Sequence, residues 1–159
     1  MPRRGSVKLR KINPDPVYKN RLVARLVNRA MHNGKKSITQ KEVYGAFKII
    51  KEKLKDDPIK IFSKALDNIK PSMEVRPRRV GGAAYQIPIP VRGGRKESLA
   101  IRWLVQEARK RPNSEYHTFS EKLAAELIDA ANGEGLTIKK RQDVERIAEA
   151  NRAFAHFRW

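Results

Sequence analysis

The side chains of this sequence best suited to chemistry are its cations. Residues 76–96 hold Arg76, Arg78, Arg79, Arg92, Arg95 and Lys96 with no acid among them. A guanidinium offers a planar fork of N–H donors that matches a phosphate, so this grouping points to gripping a polyanion rather than to making or breaking bonds. Residues 1–11 repeat the asymmetry: Arg3, Arg4, Lys8, Arg10 and Lys11 stand there without an acid. Charged strands also arise as plain protection of a sheet edge, but two acid-free segments in one chain favour binding.

Residues fit for catalysis are sparse. His32, His117 and His156 have no His or carboxylate beside them at metal-ligand or triad spacing, and are expected on the surface or in packing. Asn33-Gly34-Lys35-Lys36-Ser37 resembles a phosphate loop only loosely. Arg29 occupies the place of the upstream glycine, and Lys36 interrupts the Gly-Lys-Ser order. Asp56-Asp57 ahead of Pro58 is explained by helix capping. The absence of cysteine removes disulfides, thiolate metal sites and Cys nucleophiles. No enzymatic activity, metal or cofactor is expected.

Periodicity gives the elements that must hold the cations. Asp15-Pro16 supplies an N-cap followed by proline at the first helical position, and Tyr18, Leu22, Val23, Leu26, Val27, Ala30 and Met31 follow at spacings of three and four. A first helix is expected from there to a left-handed stop at Asn33-Gly34. Val43, Ala46, Phe47, Ile50 and Leu54 form the stripe of a second, with Thr39 and Glu42 as its capping box. Asp57-Pro58 repeats the first device, and Ile59, Phe62, Leu66 and Ile69 mark a third helix that ends before Pro71.

Across residues 73–91 the spacing changes to two: Tyr85, Ile87, Ile89 and Val91 alternate with Gln86, Pro88 and Pro90. Gly81-Gly82-Ala83-Ala84 is expected to turn a hairpin that pairs residues 74–80 with 85–91. Prolines cannot donate to a ladder, which fits a two-stranded ribbon that projects from the body. Such a ribbon is marginal in water, so a partner is expected to order its tip. After Arg92-Gly93-Gly94, the residues Ala100, Trp103, Leu104 and Ala108 give a fourth helix closed by Arg109-Lys110-Arg111 at the negative end of its dipole. Thr118 and Glu121 box the start of a fifth, stopped at Asn132-Gly133. A sixth begins near Thr137 and carries Val144, Ile147, Ala148, Asn151, Phe154 and Ala155 on one stripe that can run to the C-terminus.

The length of 159 residues fits one domain. Hydrophobic residues make up 40%, roughly 46% once glycines are added, which implies a thin core. Against 17 acidic residues the chain has 36 Lys+Arg, a net charge of +19. Self-repulsion of that size weakens a compact state unless a polyanion neutralises it, and phosphate backbones also release counterions when bound. Residues 121–134 carry four acids and one Lys, so charge is sorted along the chain as a one-sided binding surface requires. Lys139-Lys140-Arg141 and the tail Arg152, Phe154, Phe157, Arg158 and Trp159 mix cations with rings that could stack on bases. Phe154 is better explained as docking the last helix, and Trp159 is open to either use. No run approaches the roughly 20 apolar residues of a membrane helix, and the start of the chain lacks an apolar leader. An intracellular protein without a membrane partner is expected. Two rivals stand beside RNA binding: a DNA-bending protein with Pro88 or Ile87 as its wedge, and an RNA-acting enzyme, supported by basicity alone.

Several distinctive blocks stand in order along the whole chain: Met1-Pro2-Arg3-Arg4-Gly5, Asn33-Gly34-Lys35-Lys36-Ser37, Val43-Tyr44-Gly45-Ala46, Arg78-Arg79-Val80-Gly81-Gly82-Ala83 with Tyr85-Gln86, Lys140-Arg141-Gln142-Asp143, and Ala148-Glu149-Ala150-Asn151-Arg152-Ala153-Phe154-Ala155-His156. In these the sequence resembles the S-seven family of bacterial small-subunit ribosomal proteins. The resemblance implies a structural constituent of the cytoplasmic ribosome that binds small-subunit rRNA as a primary protein, nucleates head assembly and lies beside the exit-site tRNA. The rRNA surface would then include Arg3, Arg4, Lys8, Arg10, Lys35, Lys36, Arg76, Arg78, Arg79, Arg92 and Arg95. The hairpin tip, Gly81, Gly82, Ala83, Ala84 and Tyr85, would approach the tRNA, and the head proteins numbered nine and eleven would be neighbours. Pro77, Pro90 and Gly93-Gly94 depart from the family's usual pattern, which bears on the stiffness of the ribbon and the first turn of the fourth helix. The fold expected by both routes is mainly α: a six-helix bundle-like single domain over residues 1–159, with a protruding two-stranded β-hairpin at residues 73–91 and a basic N-terminal arm at residues 1–11.

Overall fold

A computed structural model of the protein describes Gly5 and residues 12–157. The elements run α1 (Arg21–Ala30), α2 (Lys36–Leu54), α3 (Pro58–Ile69), β1 (Met73–Val80), β2 (Ala83–Pro90), α4 (Gly94–Lys110), α5 (Phe119–Asn132) and α6 (Leu136–Ala150), then a 3-10 helix (Arg152–Phe157). The expected mainly helical architecture with one two-stranded ribbon is therefore present. The arm expected at residues 1–11 lies outside the described residues apart from Gly5.

The bundle is organised around α5, which packs against α2, α3, α4 and α6. Its sequence explains the position: Leu123 and Leu127 are fully buried, while Ala124, Ala130 and Ala131 let neighbouring backbones come close. Phe47 and Ile50 from α2, Phe62 and Leu66 from α3, and Leu104 from α4 complete the core with no exposure. Each large side chain buried in this way contributes about 2 kcal/mol. At Gly45 a Cβ would lie 3.3 Å from Ser120 Cβ, so the glycine in α2 permits the close crossing of α5.

Two helix starts differ from expectation. Asp15 accepts from the N–H groups of Val17 and Tyr18 at 3.1 Å and from the Tyr44 hydroxyl at 2.8 Å, which closes a separate turn. Lys19 then adopts a left-handed φ of 50°, and Asn20 caps α1 through the Leu22 N–H at 2.7 Å. Helix one thus begins at Arg21, because the buried Asp15 is committed to Tyr44 and its own turn. It ends at Ala30, before the positive-φ pair Asn33 and Gly34. The second difference is the Thr39 and Glu42 capping box, which does not form. Thr39 donates back to the Lys35 carbonyl within α2, and Glu42 instead accepts from the Ser120 N–H at 3.0 Å, near the start of α5. Asp57 and the Thr118–Glu121 box cap α3 and α5 as expected.

The ribbon pairs Met73 with Pro90 through Val80 with Ala83. Its turn is two residues long, not four: Gly81 and Gly82 have φ of 57° and 88°, the backbone of a type I′ turn, so Ala83 and Ala84 belong to β2. Alternation from the closing Val80–Ala83 pair puts Pro77, Pro88 and Pro90 at non-hydrogen-bonded sites, where the missing N–H would point outward. The prolines cost the ladder nothing and blunt both edges against added strands.

Support for the ribbon comes from the same chain. It packs on α6 and the 3-10 helix, Ile87 is fully buried, and the Tyr85 ring sits 5.2 Å from Phe154 and 5.5 Å from Phe157. The sixth helix breaks at Asn151, whose side chain donates to the Ile147 carbonyl at 2.8 Å. The tail then tightens into the 3-10 segment that brings both Phe rings to Tyr85. Phe154 therefore docks, but on the ribbon. Trp159 and Arg158 lie outside the described residues.

Candidate nucleic-acid interface

The exposed face of α4 is the spine of the candidate site. Arg95, Arg102 and Arg109 recur every seven residues and so lie on one side of the helix. Ser98 and Gln106 fill the same side, and no acid shares it. With a rise of 1.5 Å per residue the stripe from Arg95 to Arg109 runs about 21 Å along α4. Three grooves flank it, each ending in cations.

At the start of α4 a cleft of about 360 Å³ is lined by Glu74, Arg76, Ile89, Pro90, Val91, Arg92 and Arg95. Glu74 is 7% exposed and accepts from Arg95 Nε at 2.7 Å and Arg76 Nε at 2.7 Å. Burial pushes the Glu74 carboxyl up, but the hydrogen bonds from Arg95 and Arg76 outweigh it and hold the group below the usual carboxylate range. Beside the first half of the helix a second groove of about 360 Å³ is formed by Ile12, Arg25, Asn28, Arg29, Gly94, Ser98 and Ile101. It brings the polar face of α1 against α4, with Arg25 paired to Glu97. At the far end a third groove of about 330 Å³ contains Ala30, His32, Lys35, Ile38, Thr39, Glu42, Arg109 and Phe119. Arg109 there donates to the Ala30 carbonyl at 2.7 Å.

The residues expected from sequence fall along this line with some corrections. Lys35 and Lys36 are exposed at the start of α2, beside the third groove. Arg92 is exposed in the first cleft. Arg76 and Arg95 lie in that cleft too, but both are ion-paired to Glu74, an acid just outside the acid-free run, and keep about half of each side chain exposed. Strand alternation separates the ribbon arginines: Arg76 and Arg78 share a face with Ile87 and Tyr85, whereas Arg79 is on the opposite face with Ala84. Gly81, Gly82, Ala83 and Ala84 are exposed at the tip, and Tyr85 is half-buried against Phe154 and Phe157. Arg3, Arg4, Lys8 and Arg10 lie outside the described residues.

Sequence reasoning missed Arg21, Arg29, Arg102 and Arg109. The signal was available: Arg21, Arg25 and Arg29 recur every four residues and Arg95, Arg102 and Arg109 every seven. Arg102 Nε is buried and has no hydrogen-bond partner among the described residues. The charge is sorted in a further way. Residues 30–75 hold ten Lys and no Arg, whereas residues 76–111 hold eight Arg and two Lys. Arginine, with its fork of donors, thus dominates the α1, α4 and ribbon side, and lysine covers α2 and α3.

The acids of residues 121–134 and the ribbon wedge both differ from the sequence reading. Only part of the acid-rich run 121–134 acts as surface charge: Glu126 is fully buried, paired with Arg111 at 2.8 Å and bonded to the Thr137 N–H at 2.8 Å, and Glu121 caps α5, while Glu134 is exposed. The wedge proposed for DNA bending is also unavailable, since Ile87 and Pro88 are buried. Among the described residues no helix is long and apolar enough to cross a membrane.

A sequence profile described as ribosomal protein S7p/S5e matches residues 2–152. The chain is 58% identical to small ribosomal subunit protein uS7 of Caldicellulosiruptor saccharolyticus, 56% to that of Thermodesulfovibrio yellowstonii and 54% to that of Thermoanaerobacter pseudethanolicus. Each alignment covers all 159 residues and the full length of both chains. With its mostly helical bundle, its ribbon and its arginine-lined face, the chain belongs to the ribosomal protein S7p/S5e family.

Proposed function

We propose that this protein is a structural, non-catalytic constituent of the small subunit of the cytoplasmic ribosome, and that it binds small-subunit rRNA directly. The observation that carries the rRNA reading is the continuous stripe of arginines along α4, with cation-ended grooves on both flanks. Folded RNA exposes phosphates and 2′-hydroxyls on curved surfaces, and a ridge of guanidinium forks beside shallow grooves suits such a shape. Lys35, Lys36, Arg76, Arg78, Arg79, Arg92 and Arg95 take part together with Arg29, Arg102 and Arg109. Arg3, Arg4, Lys8 and Arg10, from the acid-free segment 1–11, join them.

On this reading the protein binds rRNA early, as a primary protein, and nucleates the head of the subunit. The ribbon tip, Gly81, Gly82, Ala83 and Ala84, approaches the exit-site tRNA, with Tyr85 bracing it from behind. The head proteins numbered nine and eleven are its neighbours. Chemical footprinting of isolated small-subunit rRNA with this protein alone tests the primary role. Protection of a compact set of nucleotides without any other protein is expected, and protection only after other proteins are added would overturn it.

A further inference from the structure

Glu74 is anomalous on a face meant for phosphate. A carboxylate there repels the ligand, and any nearby uncharged residue would spare that repulsion. Yet Glu74 is buried at the root of β1 and spends both oxygens on arginines from two different elements. Arg95 of α4 forks onto it through Nε and Nη2, both at 2.7 Å, and Arg76 of β1 does the same at 2.7 Å. Each guanidinium so held leaves about three of its five N–H donors off the carboxylate. The two side chains are 48% and 47% exposed and line the same cleft of about 360 Å³ with Arg92. Ile89, Pro90 and Val91 complete the lining of that cleft.

We propose that Glu74 is a positioning residue that locks Arg76 and Arg95 as a paired fork for one backbone phosphate of structured RNA, across the cleft where the ribbon meets α4. This rests on the rRNA-binding function proposed above. The carboxylate fixes two long side chains before binding, so their rotamer entropy is lost at folding and not at association. It also sets the ribbon's angle to α4, because the pair joins residues on either side of the Arg92-Gly93 corner.

The sign of one substitution separates positioning from plain electrostatics. Glu74→Gln adds one unit of net positive charge, so simple attraction predicts tighter binding to any RNA. Positioning predicts that affinity for isolated small-subunit rRNA falls about tenfold, because two charge-assisted forks are loosened. Affinity for a random RNA duplex should hold or rise in the same variant. Arg95→Lys supplies the second arm: it keeps the charge and removes the fork, and should weaken rRNA binding with an unchanged salt slope. Circular dichroism of both variants establishes that the helices remain. Unchanged or tighter rRNA binding by Glu74→Gln, or full rRNA affinity in Arg95→Lys, overturns the proposal. Failure of the unaltered protein to prefer the rRNA over the duplex overturns instead the reading on which it rests.

Discussion

Arg109 reaches across from the last turn of α4 to donate to the Ala30 carbonyl at the end of α1, over 2.7 Å. That carbonyl belongs to the last turn of a helix, where no intrahelical donor is available. The contact holds together α1 and α4, the two helices that line the second groove. Replacing Arg109 with Met keeps the stem and removes the donor, and should lower stability by about 1 kcal/mol in a denaturant titration. An unchanged midpoint would mean that solvent serves the carbonyl as well as the guanidinium does.

Glu126 is the most demanding residue of the interior. It is fully buried, while the Arg111 side chain it faces is 11% exposed. The same carboxylate accepts from Thr137 through both its N–H and its hydroxyl, fixing the first turn of α6. Glu126→Gln leaves a guanidinium with only Asp129 as counterion, and should cost about 3 kcal/mol as a broken buried pair. Thermal unfolding checks this, and a loss no larger than that of Lys48→Gln on the surface would refute it.

Stability should fall in acid. Burial raises the Glu74 and Glu145 carboxyls, but hydrogen bonds from Arg95 and Arg76, and from Ser72, bring both below the ordinary value of 4.5. Groups lowered on folding contribute stability that is present above 4.5 and is lost as pH drops through their folded-state values. At the other extreme burial and Asp15 push the Tyr44 phenol up to about 12. The fold favours the neutral phenol, so that contribution is complete below 10 and disappears as pH rises toward 12. Unfolding midpoints measured across pH should therefore decline at both ends, and Glu74→Gln should flatten the acid limb.

Phe154 and Phe157 brace the ribbon through Tyr85. Changing both to Ala should expose the ribbon to proteolysis within residues 78–86, with the helical body melting within a few degrees of the original. Trimming residues 80–84 and rejoining the strands, which spares Tyr85, should leave rRNA affinity intact and reduce retention of exit-site tRNA. Normal tRNA retention would remove the tip from that role.

The features that sequence carried to structure are those written locally. Asp57-Pro58, the Thr118–Glu121 box and the second strand of the ribbon, which ends at Pro90, each depend on neighbours a few positions away, and each forms. Apart from the length of the hairpin turn and the break at Asn151, the misses involve a distant partner. Asp15 looked like the cap of helix one, but Tyr44, 29 residues on, draws it into a separate turn. Glu42 matched a capping box and instead serves Ser120 in another helix. From sequence the ribbon reads as needing an outside partner, because nothing local indicates that the tail folds back to Tyr85. At the candidate site the acid-free run of cations was visible. Its partial neutralisation by Glu74 and its continuation through Arg102 and Arg29 required knowing which helices lie side by side.

The most direct measurement compares two charge-matched triple variants across a salt series. Arg29, Arg92 and Arg102 become Gln in one, and Lys48, Lys51 and Lys60 become Gln in the other. Binding to isolated small-subunit rRNA is then read as log Kd against log salt. A one-sided arginine interface predicts that the first variant loses affinity and that its slope shrinks by about 2 to 3, one for each lost phosphate contact. The second should stay close to the unaltered protein. Equal losses in both would contradict the account, because the RNA would then be responding to total charge and not to the face along α4.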